Sequence, residues 1–214
     1  MTITLIIIAI TCLVSFYAFS NEQLREDLIF YPPAIATRNQ WYRFFTCGFI
    51  HADFIHLAFN MYALYLFGRN VEEYFMLIFQ EKGKLLYLLM YILSLFFCLL
   101  PTYSRHKNDS SYRSLGASGA VSAVIFASIL LEPERGIGVI FIPGIYIPGF
   151  LFGFLYLIIS SYLDKRGGGN INHSAHIWGA LFGIAFLVLA AYAFSDYKVL
   201  DTFITRVQRY LQNF

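Results

Sequence analysis

Leu115-Gly116-Ala117-Ser118-Gly119-Ala120-Val121-Ser122-Ala123 joins a polar loop, Ser104 to Ser114, to an apolar run, Val121 to Leu131. A serine thus sits among small residues where a loop becomes a helix. Small neighbours let a second backbone or a substrate approach the Ser118 hydroxyl. The first turn of a helix leaves N–H groups unpaired, and these can hold a developing negative charge. The same residues also read as packing alone. Gly119, Ala123 and Ala127 recur every four positions, the small-residue face by which membrane helices approach one another. Packing and nucleophilic chemistry both stay open on this stretch.

The surrounding chain sets the context. Its 214 residues are 58% hydrophobic and 13% charged, with mean hydropathy +0.61, against about 25% charged in soluble domains. Six apolar runs stand out: Thr2–Phe19, Phe54–Phe67, Leu85–Tyr103, Leu115–Leu131, Ile145–Leu163 and Ser174–Phe194. A membrane span takes about 20 such residues, so the second and fourth are short. The pattern predicts an all-α, polytopic six-helix bundle in a lipid bilayer, one domain over residues 1–214 with a long first loop at 21–50. No Lys or Arg precedes the first run and no small-x-small site follows its core, so it reads as a retained helix rather than a signal peptide. Cys12, Cys47 and Cys98 are odd in number and scattered, which suggests neither a disulfide framework nor a thiolate zinc site. The net charge of +2 lacks any basic tract, so no nucleic-acid partner is expected. Basic residues divide almost evenly between alternate loops and do not set the orientation.

The connector after the first run carries Pro32, Pro33 and the stretch Arg38-Asn39-Gln40-Trp41-Tyr42-Arg43-Phe44-Phe45. Rings mixed with Arg and Asn suit the membrane–water interface. His51-Ala52-Asp53-Phe54-Ile55-His56-Leu57-Ala58-Phe59-Asn60 follows. His56 and Asn60 are one helical turn apart and share a face of an otherwise apolar helix. Unpaired, they cost several kcal/mol in hydrocarbon, so a polar cavity or a protein partner is expected, with interhelical glue as the alternative. His51 falls off that face and reads as an orienter of the loop or as a participant in chemistry. Gly68-Arg69-Asn70-Val71-Glu72-Glu73 reads as the solvated end of this helix, and Glu81-Lys82-Gly83-Lys84 as the start of a scaffold helix.

Beyond the Ser118 run, Glu132-Pro133-Glu134-Arg135-Gly136 marks a turn, and Ile142-Pro143-Gly144 and Ile147-Pro148-Gly149 place the start of the fifth helix near Pro148. That helix ends at Asp164-Lys165-Arg166-Gly167-Gly168-Gly169-Asn170, a flexible connector or a hinge. The last helix opens His173-Ser174-Ala175-His176-Ile177-Trp178-Gly179-Ala180-Leu181-Phe182-Gly183. Ala175, Gly179 and Gly183 make a second four-residue small face, with His176 on or beside it. Two such helices can approach backbone to backbone, bringing Ser118 and His176 within hydrogen-bond reach, the nucleophile–base arrangement.

These elements resemble the rhomboid intramembrane serine proteases. The resemblance rests on Gly116-Ala117-Ser118-Gly119 (their G-x-S-G), on His51…His56…Asn60, and on Ala175-His176-x-x-Gly179-x-x-x-Gly183, in family order from about Trp41 to Gly183. Trp41-Tyr42-Arg43 resembles their Trp-Arg element with Tyr42 inserted. The resemblance implies Ser118 as nucleophile and His176 as general base without a third acid. It implies an oxyanion hole from His56, Asn60 and the Ser118 N–H. Gly116, Gly119, Gly179 and Gly183 support the site, with His51. It further implies a cytoplasmic amino terminus, no cofactor or metal, and single-span membrane proteins as substrates. The fifth helix and its following loop would form a lateral entrance, and a bacterial inner or plasma membrane is the expected location. One departure touches the site: family members often set an aromatic ring on the histidine from four residues after the nucleophile, where this chain has Ser122. The ring must then come from elsewhere, or Ser122 must bond the imidazole. Two alternatives compete with proteolysis: a catalytically silent rhomboid-like factor that binds membrane proteins or serves their quality control, and a transporter or metal site built from His51, Asp53, His56 and His176.

Overall fold

The computed structural model describes residues 2–138, 144, 146–167 and 171–213. The expected break at Ile142-Pro143, the start of the fifth run at Ile145, and Gly168-Gly169-Asn170 of the glycine loop lie outside the described residues. The helices run in the order α1 (Ile3–Phe19), α2 (Glu22–Leu28), α3 (Pro32–Arg38), α4 (Arg43–Thr46), α5 (Phe54–Ala63), α6 (Arg69–Phe79), α7 (Gly83–Phe97), α8 (Leu100–His106), α9 (Ser118–Leu131), α10 (Gly149–Arg166), α11 (His173–Phe194) and α12 (Val199–Gln212). Two stretches are long and apolar enough to cross a membrane, Phe54–His106 and α11, while α1 and α9 are shorter apolar helices. The protein is mostly helical, as expected. One small exception is an antiparallel hairpin of β1 (Gly136–Gly138) and β2 (Tyr146–Pro148).

Local chemistry explains where the helices begin. The Thr2 hydroxyl accepts from Leu5 N, Asp53 from His56 N and Asn172 from Ala175 N, capping α1, α5 and α11. Pro148 precedes α10, close to the expected start.

Several expectations are corrected. The second helix does not end at Gly68. It continues through a wide π turn, Leu64–Gly68, into α6. Gly68 keeps helical dihedrals; its missing side chain serves close packing, since a Cβ there would lie 2.7 Å from the Tyr87 hydroxyl and 2.9 Å from Thr4 Cγ2. Glu72 is not solvated but buried. Its carboxylate accepts from Ile3 N (2.7 Å), Thr4 N (2.9 Å) and Thr4 Oγ1 (2.8 Å), satisfying the free N–H groups that open α1. The third run breaks after Phe97 and restarts as α8, with Pro101 in its first turn where a missing N–H costs nothing. The fourth helix starts at Ser118 rather than Leu115. The first loop is largely helical, carrying α2, α3 and α4, and Arg43 pins it from a buried position by donating to Gln40 Oε1, Glu26 O and Ile29 O. α12 falls outside the six expected runs. It lies across the end of α9, where Arg206 donates to Leu131 O (2.6 Å) and pairs with Glu134.

The core gathers Leu64, Phe75, Tyr87, Met90, Tyr91 and Leu187 around α9, twelve of whose fourteen residues are buried. α9 is thus the central rod, and α11 lies against it at backbone contact. A Cβ at Gly179 would strike the Gly119 carbonyl, and one at Gly183 the Ala123 carbonyl. Both small-residue faces meet as the spacing predicts.

Candidate active site

Where the two rods touch, the Ser118 hydroxyl oxygen lies 2.7 Å from His176 Nε2. At that distance the two groups share a hydrogen bond, which the O–H donates when Nε2 is the unprotonated ring nitrogen. Ser118 opens α9, so the first-turn N–H groups have no partner within the helix. The approach is built by glycine. Gly116 takes φ +109°, a conformation L side chains rarely adopt, and a Cβ there would stand 2.7 Å from His56 Cε1. A Cβ at Gly119 would meet Cys98 Sγ at 2.5 Å and Ala175 O at 3.2 Å.

The turn before Ser118 is fixed from outside. His51 is buried; its Nε2 accepts from Ala117 N (3.3 Å), and its Nδ1 stands 3.0 Å from Ser15 Oγ, which itself donates to Phe49 O (2.8 Å). Of the two roles open to His51, the geometry assigns loop orientation: it ties α1 to the residue before the serine. Gly116 N donates to Cys47 O (2.9 Å), and Phe30 and Ser114 exchange backbone bonds, fastening the first loop to the same turn.

His56, Asn60, Gly116, Ser118 and His176 line one cavity of about 630 Å³, with Arg113 and Asp53 on its charged rim. Asn60 is buried and donates one amide hydrogen to His56 O (2.9 Å), keeping its second for the cavity. The His56 and His51 rings meet edge to face at 4.9 Å. A similar groove of about 660 Å³ beside α12, lined by Lys198, Asp201 and Arg206, has no serine–histidine pair.

Among the described residues no carboxylate bonds to His176. Asp53 is taken by the cap of α5, and Asp164 pairs with Arg105 at 3.5 Å. The imidazole is bordered instead by rings. His173 stands edge-on at 5.8 Å, and Tyr156 of α10 lies nearly parallel at 6.2 Å and 23°. The Tyr156 hydroxyl is 2.9 Å from Ser122 Oγ. Of the two resolutions open for Ser122, the first holds: the ring comes from elsewhere, and Ser122 bonds that ring rather than the imidazole. Sequence reasoning missed Tyr156, one of 16 tyrosines; its place one turn after Gly153 and one turn before Ser160, small residues that α10 buries, is the signal that could have found it. Among the described residues no group of three His, Cys, Asp or Glu side chains is placed to hold a metal ion, so His51, Asp53, His56 and His176 do not converge as ligands.

The rhomboid domain family matches residues 38–193. The chain belongs to the rhomboid family. Similar proteins include Rhomboid-like protein 11, chloroplastic, of Arabidopsis thaliana, 30% identical over 162 residues that cover 70% of this chain and 52% of that one. RHOMBOID-like protein 12, mitochondrial, of the same plant is 32% identical over 145 residues, 63% of this chain and 42% of that one. The Homo sapiens presenilin-associated rhomboid-like protein, mitochondrial, is 32% identical over 145 residues, 64% of this chain and 34% of that one. The chain thus spans about half or less of the length of these relatives. Rhomboid proteins are membrane-embedded, in keeping with the composition. The relatives are named for mitochondria and chloroplasts, so they lend no support to the expected bacterial inner membrane.

Proposed function

We propose that this rhomboid protein is an intramembrane serine endopeptidase that cuts single-span membrane proteins in or near their membrane segment. The observation that carries the reading is the 2.7 Å approach of Ser118 Oγ to His176 Nε2 inside a cavity walled by hydrogen-bond donors. In the forward step, Ser118 Oγ attacks the scissile carbonyl carbon while His176 Nε2 takes its proton. The carbonyl oxygen becomes an oxyanion, held by the Ser118 N–H with His56 and Asn60 as side-chain donors. His176 returns the proton to the departing amine. Water then attacks the acyl-serine, with His176 again as base, and restores the hydroxyl. Six spans fit this reading: α1, the α5–α6 helix, α7, α9, α10 and α11, with α10 beside the entrance for substrate and the amino terminus in the cytoplasm.

The test uses purified protein in liposomes with a single-span reporter. Cleavage that vanishes in Ser118→Ala and in His176→Ala, with both variants folded, supports the reading; cleavage that persists overturns it. A second reading is a catalytically silent factor that binds membrane proteins. It is favoured by the relatives' names, which say rhomboid-like and state no activity. A fluorophosphonate that never labels Ser118, together with reporter binding that survives Ser118→Ala, decides for it.

A further inference from the structure

α10 is little enclosed: of its eighteen residues only Gly149, Gly153 and Ser160 are buried. Its ends are tied elsewhere, by Gly149 N and Phe150 N to Arg135 O and Pro133 O at one end and by Asp164 to Arg105 at the other. Midway, one residue reaches the site. Tyr156 lays its ring along the His176 imidazole and sets its hydroxyl on Ser122 Oγ, one turn past Ser118 on α9. Phe126 of α9 and Phe152 of α10 hold the ring at 5.6 Å and 6.0 Å. A single side chain thus touches both helices that bear the dyad.

A serine hydrolase usually fixes its imidazole with a carboxylate on the second nitrogen. His176 has none among the described residues, so its side-chain torsions are restrained by neighbours, and Tyr156 supplies the broad face. Offset ring pairs at this spacing contribute about 0.5–1.5 kcal/mol beyond their buried area. Segments with little buried surface open most readily, and α10 is such a segment.

We propose that Tyr156 is the positioning residue for His176, held by Ser122, and that the seating of α10 therefore sets the reactivity of Ser118. This rests on the hydrolase reading above. When α10 is seated, the imidazole is aimed at the serine; when α10 leans outward, ring and hydroxyl anchor leave together and the base loses its orientation.

The experiment measures the rate of fluorophosphonate labelling at Ser118 and the kcat and KM for a single-span reporter, in the full chain in liposomes. Tyr156→Leu lowers labelling rate and kcat together by about ten-fold or more with KM little changed, while Tyr156→Phe, which keeps the face, stays within about three-fold of the parent. Tyr156→Phe, Ser122→Ala and the double variant share one small loss, because they remove the same hydrogen bond. Gly153→Leu wedges α10 away from Phe126 and Ile129, both 3.3 Å from a Cβ at that position, and slows labelling with Tyr156 intact. Labelling and kcat unchanged or raised in Tyr156→Leu overturn the positioning role, and unchanged labelling in Gly153→Leu overturns the coupling to α10. If Tyr156→Leu does not fold, a Tyr156→Phe/Ser122→Ala pair whose losses add overturns the shared anchor. A parent protein that is never labelled fails at the first measurement and overturns the hydrolase reading and this one together.

Discussion

Replacing Gly179 by alanine tests the crossing on which the site depends. The added Cβ would overlap the Gly119 carbonyl oxygen and stand 2.8 Å from the carbonyl carbon, where ordinary contact begins near 3.4 Å. Both partners are backbone, so no rotamer change relieves the overlap. The carbon alone must retreat by 0.6 Å, from 2.8 Å to 3.4 Å, and the oxygen by more. Carried to the dyad, the same shift stretches the 2.7 Å Ser118–His176 bond to about 3.3 Å, longer than a well-formed bond from a hydroxyl donor. Overpacking of this kind costs about 1–3 kcal/mol, and misplacing a reacting group by about 1 Å costs on the order of 10² in rate. We therefore expect Gly179→Ala to lower reporter cleavage about 100-fold and to reduce Tm by several degrees in detergent. Gly153→Ala is the control. Its Cβ would meet only side-chain atoms of Ile129 and Phe126, at 3.3 Å, and these give way at little cost. Full cleavage and an unchanged Tm in Gly179→Ala refute the backbone-to-backbone crossing.

Three further outcomes follow from other parts of the molecule. Glu72→Ala leaves two backbone N–H groups and the Thr4 hydroxyl without their shared acceptor and should cost about 2–5 kcal/mol, read as a fall in Tm and as faster amide exchange at Ile3 and Thr4; Glu72→Gln recovers part of the loss. Gln80 sits at φ 51° and ψ −122°, a conformation suited to glycine, so Gln80→Gly should raise stability by about 1 kcal/mol in denaturant titration, while Gln80→Ala leaves it unchanged. In the loop after α8, hydrogen bonds from Ser111, then from His106, hold the Asp109 carboxyl down at about 2, below its ordinary 3.8. Because the folded value is the lower one, the contribution of Asp109 to loop order is complete above about pH 4 and is lost as pH falls through about 2. The protection factor of the Ser111 amide should accordingly stay level from pH 7 to about pH 5 and drop below about pH 4; a drop near neutrality contradicts this assignment.

The sequence shows the crossing of α9 and α11 because close approach is written as absence. Gly119 and Ala123 on one rod and Gly179 and Gly183 on the other recur at the helical period, and a repeated lack of side chains has few causes other than a neighbouring backbone. Once the rods cross there, the positions of Ser118 and His176 on them leave the pair little choice but to meet. Polar contacts across long separations carry no such period. Glu72 looks like any charge near a helix end until the start of α1, 68 residues earlier in the chain, arrives to be capped. Gly68 looks like a terminator although it is the gap that lets Thr4 and Tyr87 close in. Tyr156 is hidden for a related reason. Its place beside His176 exists only once α10 docks against a crossing already formed: Gly149, Gly153 and Ser160 mark the face of α10 that turns inward, but nothing in them says what Tyr156 on that face will meet. The parts of the site that one helix pair determines are therefore legible from spacing. The parts that need a third helix, the ring beside His176 and the hydroxyl on Ser122, are not.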